Sequence, residues 1–211
     1  MQSPKKKAYE NLRYRIISQD LPPGELLKEK ELMAHYGIGR TPLREIFIEL
    51  QREGLIRRVP RAGTWVAPMD INYVKQIVEI RIRLEGLGGE LAARRITDAQ
   101  ISKLEGILEK VAAERASENI DVQRLIHYES QFHQLVYAAT GNSRLEELLI
   151  EFQGIGARFW HSLVFNQEQL FKLFDEQHDM LDALKNRDAK RCGQLMADHA
   201  RAYFKSINGI G

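Results

Sequence analysis

The stretch EKELMAHYGIGRTPLREIFIELQREGL, residues 29–55, sets two arginines, Arg40 and Arg44, at the mouth of a helix around a Thr-Pro step. A helix start carries partial positive charge and favours acidic residues. Cations there oppose the helix unless an anion arrives from outside. Leu43, Ile46, Phe47 and Leu50 form the buried stripe of this helix, expected near 41–53. Thr41 is the expected N-cap, Pro42 the first helical residue and Gly54 the stop. Just upstream, Leu32, Met33 and Tyr36 turn inward on a short helix near 29–36, which Gly37 ends in the left-handed conformation.

Outward from this core, Tyr9, Leu12, Ile16 and Ile17 fall at helical spacing and predict a helix near 4–19. Pro22, Pro23 and Gly24 break it. After Gly54, LIRRVPRAGTWVAP reads as two short strands, 55–59 and 64–67, around a tip at Pro60–Gly63. Three helices and a hairpin in this order outline a winged helix-turn-helix, whose third helix enters the DNA major groove by its N-terminal residues. Arg40 and Arg44 are four apart and share one face. The missing anion is then phosphate or the electronegative edge of guanine. Thr41 can bond a phosphate while capping, and Arg61 and Gly63 suit a wing lying against a groove. For either arginine alone, a solvated surface charge is the plainer reading; the combination with turn, cap and basic wing points to DNA.

The pattern Leu27, Glu29, Glu31, Leu32, Gly37, Arg40-Thr41-Pro42, Arg44-Glu45, Leu50, Glu53-Gly54-Leu55, Pro60, Gly63 and Val66 resembles the GntR family of bacterial transcription regulators. The resemblance implies DNA contacts by Arg40 and Arg44, helped by Lys30, Thr41 and Gly63. Gly39 departs from it, standing where the family often has Ser or Thr.

Charge agrees with two unequal units. Residues 1–69 carry 13 lysines and arginines against 8 carboxylates, and residues 70–211 carry 18 against 21. A basic head of 1–69 and a mildly acidic second domain of 70–211 are expected. The 44% apolar and 28% charged content is that of a folded soluble chain. No apolar run reaches membrane-span length, the N-terminus lacks a secretory core, and the lone Cys192 excludes an internal disulfide. These features favour the cytoplasm.

From residue 71 onward the periodicity is helical almost throughout. Helices are predicted near 71–95, 98–117, 121–139, 144–164, 167–185 and 188–207, with Asp98, Asp121 and Asp188 as N-caps. The expected fold is mainly α: a winged helix-turn-helix followed by an antiparallel helical bundle. Polar residues interrupt three apolar stripes. Glu129 and His133 sit among Leu125, Phe132 and Val136; His178 lies near Phe174 and Leu181; His199 follows Cys192, Leu195 and Met196 and precedes Tyr203. One carboxylate and three histidines could converge as a divalent metal site suited to zinc, nickel or manganese. The competing reading is three core histidines with ordinary hydrogen bonds. His127 and His161 are possible substitutes. Gly86, Gly88 and Gly89 inside one helix suggest close helix approach.

Arg81, Leu84-Glu85-Gly86-Leu87, Leu91-Ala92-Ala93, Glu129 to His133, Ala139 to Asn142, Leu181 to Leu184, Arg187-Asp188 and Met196 to His199 are similar to the ligand-sensing FCD domain of the FadR subfamily. That resemblance implies a metal held by one carboxylate and three histidines, completed by an acidic effector, with Arg81 facing the effector cavity. An ordinary salt bridge is the equal alternative for Arg81. Glu129 replaces an aspartate, and the family's third histidine aligns with Gln177, one residue from His178. That shift turns a helix position by about 100°.

The expected function is transcriptional repression of a metabolic operon, relieved by a small carboxylate, by a homodimer on a palindromic operator. The alternatives are a metal-dependent bundle enzyme and a ligand-free dimerisation scaffold. Di-iron bundles use Glu-x-x-His units, and Glu129 and His133 are four apart. No nucleophile triad, nucleotide-binding glycine loop or cysteine pair is present in the sequence.

Overall fold

A computed structural model of the protein describes the backbone of residues 3–163 and 167–208, with side chains except at 71, 159–163, 167, 169 and 203–208. Its described residues form nine helices and one two-stranded sheet. Two compact units result: Met1–Val74 with Glu151–Leu163, and Lys75–Ile150 with Val164–Gly211.

The first unit is a winged helix-turn-helix. Helix α1 (Pro4–Ile17) is capped by Ser3, whose hydroxyl accepts from the Lys6 amide at 3.3 Å. It stops two residues before the expected end, where Gln19 turns to φ 65°. Helix α2 (Glu29–Tyr36) ends at Gly37 with φ 62°, the left-handed stop the sequence predicts. Helix α3 (Arg40–Arg52) buries Leu43, Ile46, Phe47 and Leu50 against Leu12, Ile16, Leu55 and Val66. Strand β1 (Ile56–Val59) pairs antiparallel with β2 (Gly63–Val66), from Ile56 opposite Val66 to Val59 opposite Gly63. The loop expected only to break α1 also covers the edge of β2. The Leu27 amide donates to the Thr64 carbonyl at 2.8 Å, and the Val66 amide to the Glu25 carbonyl at 2.9 Å. An unpaired strand edge invites association with other chains, and this pairing removes it.

Glu53 anchors the unit. Its buried carboxylate accepts from Arg13 Nε at 2.6 Å and from the Tyr9 hydroxyl, so α1 is tied to the end of α3. Burial, with the Glu53 charge beside it, pushes the Tyr9 phenol far above its ordinary pKa, so the hydroxyl stays a donor. The second half of helix α7 (Ser143–Leu163) packs on the same place. A Cβ on Gly154 would lie 2.5 Å from the Glu53 carbonyl oxygen, and Arg158 Nη2 donates to the Ala67 carbonyl at 2.6 Å. The expected division at residue 69/70 places this half-helix in the second domain; its glycine is what admits the close approach.

The second unit is a helical bundle. It comprises most of α4 (Ile71–Arg95), then α5 (Asp98–Arg115), α6 (Val122–Ala139), the first half of α7, α8 (Gln167–Lys185) and α9 (Ala189–Asn208). Asp121 caps α6, accepting from the Arg124 amide at 3.0 Å, and Asp188 accepts from the Arg191 amide at 3.0 Å. Asp98 is not the cap of α5. Thr97 is, in a reciprocal capping box with Gln100. Two of the glycines of α4, Gly86 and Gly89, face α9, whereas Gly88 faces Leu149 of α7. A Cβ on Gly89 would lie 2.7 Å from the Cys192 carbonyl oxygen, and one on Gly193 2.8 Å from that of Gly86. Burial, with the Asp188 charge, pushes the Cys192 thiol up to about 12, so it remains a neutral core side chain.

Glu53→Ala strands the Tyr9 hydroxyl and the Arg13 guanidinium. It should lower unfolding free energy by about 3–5 kcal/mol, as breaking a buried ion pair does, measured by urea denaturation.

Candidate functional site

Two features stand apart from packing. The first is the start of α3. The helix begins one residue earlier than the sequence predicts, so Gly39, not Thr41, is its N-cap, and no side chain caps it. Arg40 and Thr41 are then the first two helical residues, and the first turn holds no acidic side chain. Arg40, Thr41 and Arg44 are exposed, and neither arginine makes an ion pair among the described residues. Two positive charges thus meet unsatisfied N–H groups with nothing among the described residues to offset them, which is the electrostatic form of an anion site. Lys30 is exposed on α2. Arg61 is exposed at the wing tip with φ 64°, a strained value for a residue with a side chain. Gly63 has φ 147°, and a Cβ there would lie 3.0 Å from the Leu26 side chain, so the backbone itself calls for glycine.

The second feature is a polar interior in the bundle. One ligand atom each from Glu129, His133 and His199 lies within 4.8 Å of the others. Glu129 and His133 are one turn apart on α6, and their Oε1–Nε2 distance is 3.2 Å. That contact is too poorly aligned for a hydrogen bond, so both nitrogens of the fully buried His133 lack a hydrogen-bond partner among the described residues. Burial alone would raise the Glu129 pKa, yet His133, His199 and Arg81 outweigh it and hold the carboxylate below its usual range, hence ionised. Nδ1 of His199 bonds Glu176 Oε2 at 2.6 Å. With Nδ1–H donating to that carboxylate, the lone pair rests on Nε2, the orientation a metal-bound imidazole takes. The rings of His133 and His199 are 5.1 Å apart.

His178 does not join this group. It is exposed on α8, with Nδ1 at 2.9 Å from the Phe174 carbonyl oxygen. Gln177, about 100° around the helix, takes the inward position and is fully buried. The side chain of His161 lies outside the described residues. Arg81 is buried and donates from Nε to Glu85 Oε1 at 2.9 Å, one turn along α4. The Tyr137 hydroxyl donates to the same oxygen at 2.7 Å. Burial, reinforced by the Glu85 charge, drives the Tyr137 phenol well above its ordinary pKa. Sequence reasoning missed Glu85, Tyr137 and Glu176. The first two carried a signal: Glu85 follows Arg81, and Tyr137 follows His133, by four residues on inward faces.

Residues 4–66 match the family model described as bacterial regulatory proteins, gntR family, and residues 76–202 match that of the FCD domain. The chain belongs to the GntR family and carries an FCD domain. Its similarity to the Nta operon transcriptional regulator of Aminobacter aminovorans is 28% identity over 192 residues, covering 90% of this chain and 88% of that protein. The HTH-type transcriptional repressor RspR of Escherichia coli is 27% identical over 205 residues, covering 93% and 88%. The solved structure of E. coli McbR/YncC shares the fold, with a TM-score of 0.74 over 100% of this chain and 99% of that one, at 23% identity. This GntR-family chain is a DNA-binding transcriptional regulator and not an enzyme. No helix among its described residues is long and apolar enough to cross a membrane.

Arg40→Glu reverses the opposed charge at the start of α3. It should raise stability by about 0.3–1 kcal/mol while removing DNA binding, read by urea denaturation beside a gel-shift titration.

Proposed function

We propose that this regulator represses a metabolic operon as a homodimer on a two-fold symmetric operator, and that a small carboxylate held in the bundle interior releases it. The observation that carries the sensing reading is the set of Glu129, His133 and His199, with His133 fully buried and the other two half-buried, desolvated at a cost that packing alone does not recover. Arg40 and Arg44 meet phosphate and guanine in the major groove, Thr41 meets phosphate with a hydroxyl no longer needed for capping, and Lys30, Arg61 and Gly63 support the approach.

Helix α4 supports dimerisation. Ile80 and Leu87 are exposed, large and seven residues apart, the spacing of a helix seam. Within the bundle, Arg81, oriented by Glu85, is the partner for the effector's carboxylate. Glu129, His133 and His199 fit a divalent ion: two imidazoles and one oxygen suit zinc first, with nickel or manganese as alternatives. Such an ion, when bound, supplies positive charge and open coordination positions for an acidic effector. Glu176 fixes the tautomer of His199, while the low Glu129 pKa keeps its oxygens unprotonated. An effector that binds one arrangement of the two heads more tightly shifts the dimer toward it. Because α4 leaves the DNA-binding unit and enters the bundle, it is the segment that transmits the change.

Arg40→Ala and Arg44→Ala should each weaken operator binding by about 1–3 kcal/mol per half-site, in fluorescence anisotropy on an operator obtained by selection from random DNA. Ile80→Glu with Leu87→Glu should give a folded monomer by analytical ultracentrifugation. After dialysis against zinc, elemental analysis should find the metal retained by the parent and by His178→Ala, and lost from His133→Ala and His199→Ala. An operator affinity indifferent to every small acid tested would overturn the sensing reading.

A further inference from the structure

Helix α3 carries one exposed apolar side chain, and it lies on the face that the two arginines share. Ile48 is 52% exposed, while every other exposed residue of α3 is polar or charged. It is not the margin of the core stripe. Ile48 stands two residues from Ile46 and from Leu50, about 160° around the helix from each. Arg44 is four residues before it and Arg40 eight, about 40° and 80° away on the same side. A single exposed aliphatic residue is ordinary on a protein surface. This one lies opposite the core, on the face that carries both arginines.

The nearby charges leave that face open to a polyanion. Glu45 and Glu49 flank Ile48 along α3, and free carboxylates there would repel phosphate. Lys5 of α1 draws both away: its Nζ is 2.9 Å from Glu45 Oε2 and 3.1 Å from Glu49 Oε1. The acidic pair is thus partly neutralised from within the unit, and the arginines are not the groups that neutralise it.

The hydrogen-bonding groups of a major groove offer Ile48 nothing, because an aliphatic side chain neither donates nor accepts. The same groove also presents a methyl, on C5 of thymine, which apolar side chains contact. Along the helix axis Ile48 is about 6 Å beyond Arg44, about two base-pair steps of roughly 3.4 Å. We propose that Ile48 packs on the C5-methyl of an operator thymine within about two base pairs of the guanine met by Arg44, and so adds a preference for thymine to the arginine contacts. This rests on the reading of Arg40 and Arg44 as major-groove contacts.

The test uses the full-length protein and an operator obtained by selection from random DNA. Replacing one thymine at a time by deoxyuridine removes the methyl and keeps the base pair. Fluorescence anisotropy measures the parent, Ile48→Ala and Arg44→Ala on each duplex. At one thymine of the half-site, deoxyuridine should weaken the parent by about three- to five-fold, the effect of burying one methyl. Ile48→Ala should bind the thymine operator more weakly by a similar factor and lose most of its sensitivity to deoxyuridine at that position. The same variant should melt no lower than the parent, because the side chain is exposed and alanine favours a helix. It should also sediment as the parent does. The absence of a methyl effect in the parent, a methyl effect undiminished in Ile48→Ala, or a marked fall in that variant's melting temperature overturns the inference. So does a change in its oligomeric state, which would make Ile48 a contact between copies of the chain. In each of these cases weaker binding by Arg44→Ala leaves the groove reading standing. Undiminished binding by Arg44→Ala overturns the groove reading and this inference together.

Discussion

A helical bundle that takes Arg81, Glu85 and His133 out of water, and half-buries Glu129, must compensate every one of them, and this requirement organises the second unit. Isolated charges in a low-dielectric interior cost far more than packing returns. The compensation here is mutual: Arg81 with Glu85, Tyr137 with Glu85, Glu129 with His133, His199 with Glu176. These pairs join α4 to α6 and α8 to α9. The glycines of α4 and α9 let those two backbones approach closely enough to exclude water between them. The compensation is incomplete, and the incompleteness is located at His133, Gln177 and the outer oxygen of Glu85.

The DNA-binding unit shows the same tension in another form. Its core is ordinary, a stripe of Leu43, Ile46, Phe47 and Leu50 closed by the Glu53 anchor. Its recognition surface works against the helix that carries it. Arg40 heads a helix with no side-chain cap and no acidic first-turn residue, an arrangement that costs helix stability and favours an anion from outside. Strain at Arg61 follows the same logic, since a glycine would adopt φ 64° without it. Both positions are locally suboptimal, as functional positions tend to be.

Much of this was legible along the chain. Helical and strand periodicities located the three head helices, the wing and the six later helices to within a few residues, because burial of one face leaves a repeating apolar signal. The Gly37 stop was readable for the same local reason. Caps were less legible. Thr41 and Asp98 are both good cap residues by type, yet Gly39 and Thr97 hold the positions. A shift of one residue in a helix start costs little locally and is decided by how the helix packs. The metal candidates divided similarly. Glu129, His133 and His199 interrupt apolar stripes and come together; His178 interrupts one too, but helix phase turns it outward and Gln177 inward.

The sequence by itself therefore determined the order and type of the elements, the basic helix start that marks a DNA-binding head, and some of the polar residues of the bundle interior, Glu129, His133 and His199 among them. These depend on near neighbours and on short periods. The tertiary structure alone decided which polar residues meet: Glu176 with His199, Tyr137 with Glu85, and the second half of α7 with Glu53 in the first unit. Those encounters join residues separated by 23 and 52 positions in the first two cases. They are set by the rotation and spacing of packed helices, which no local pattern encodes.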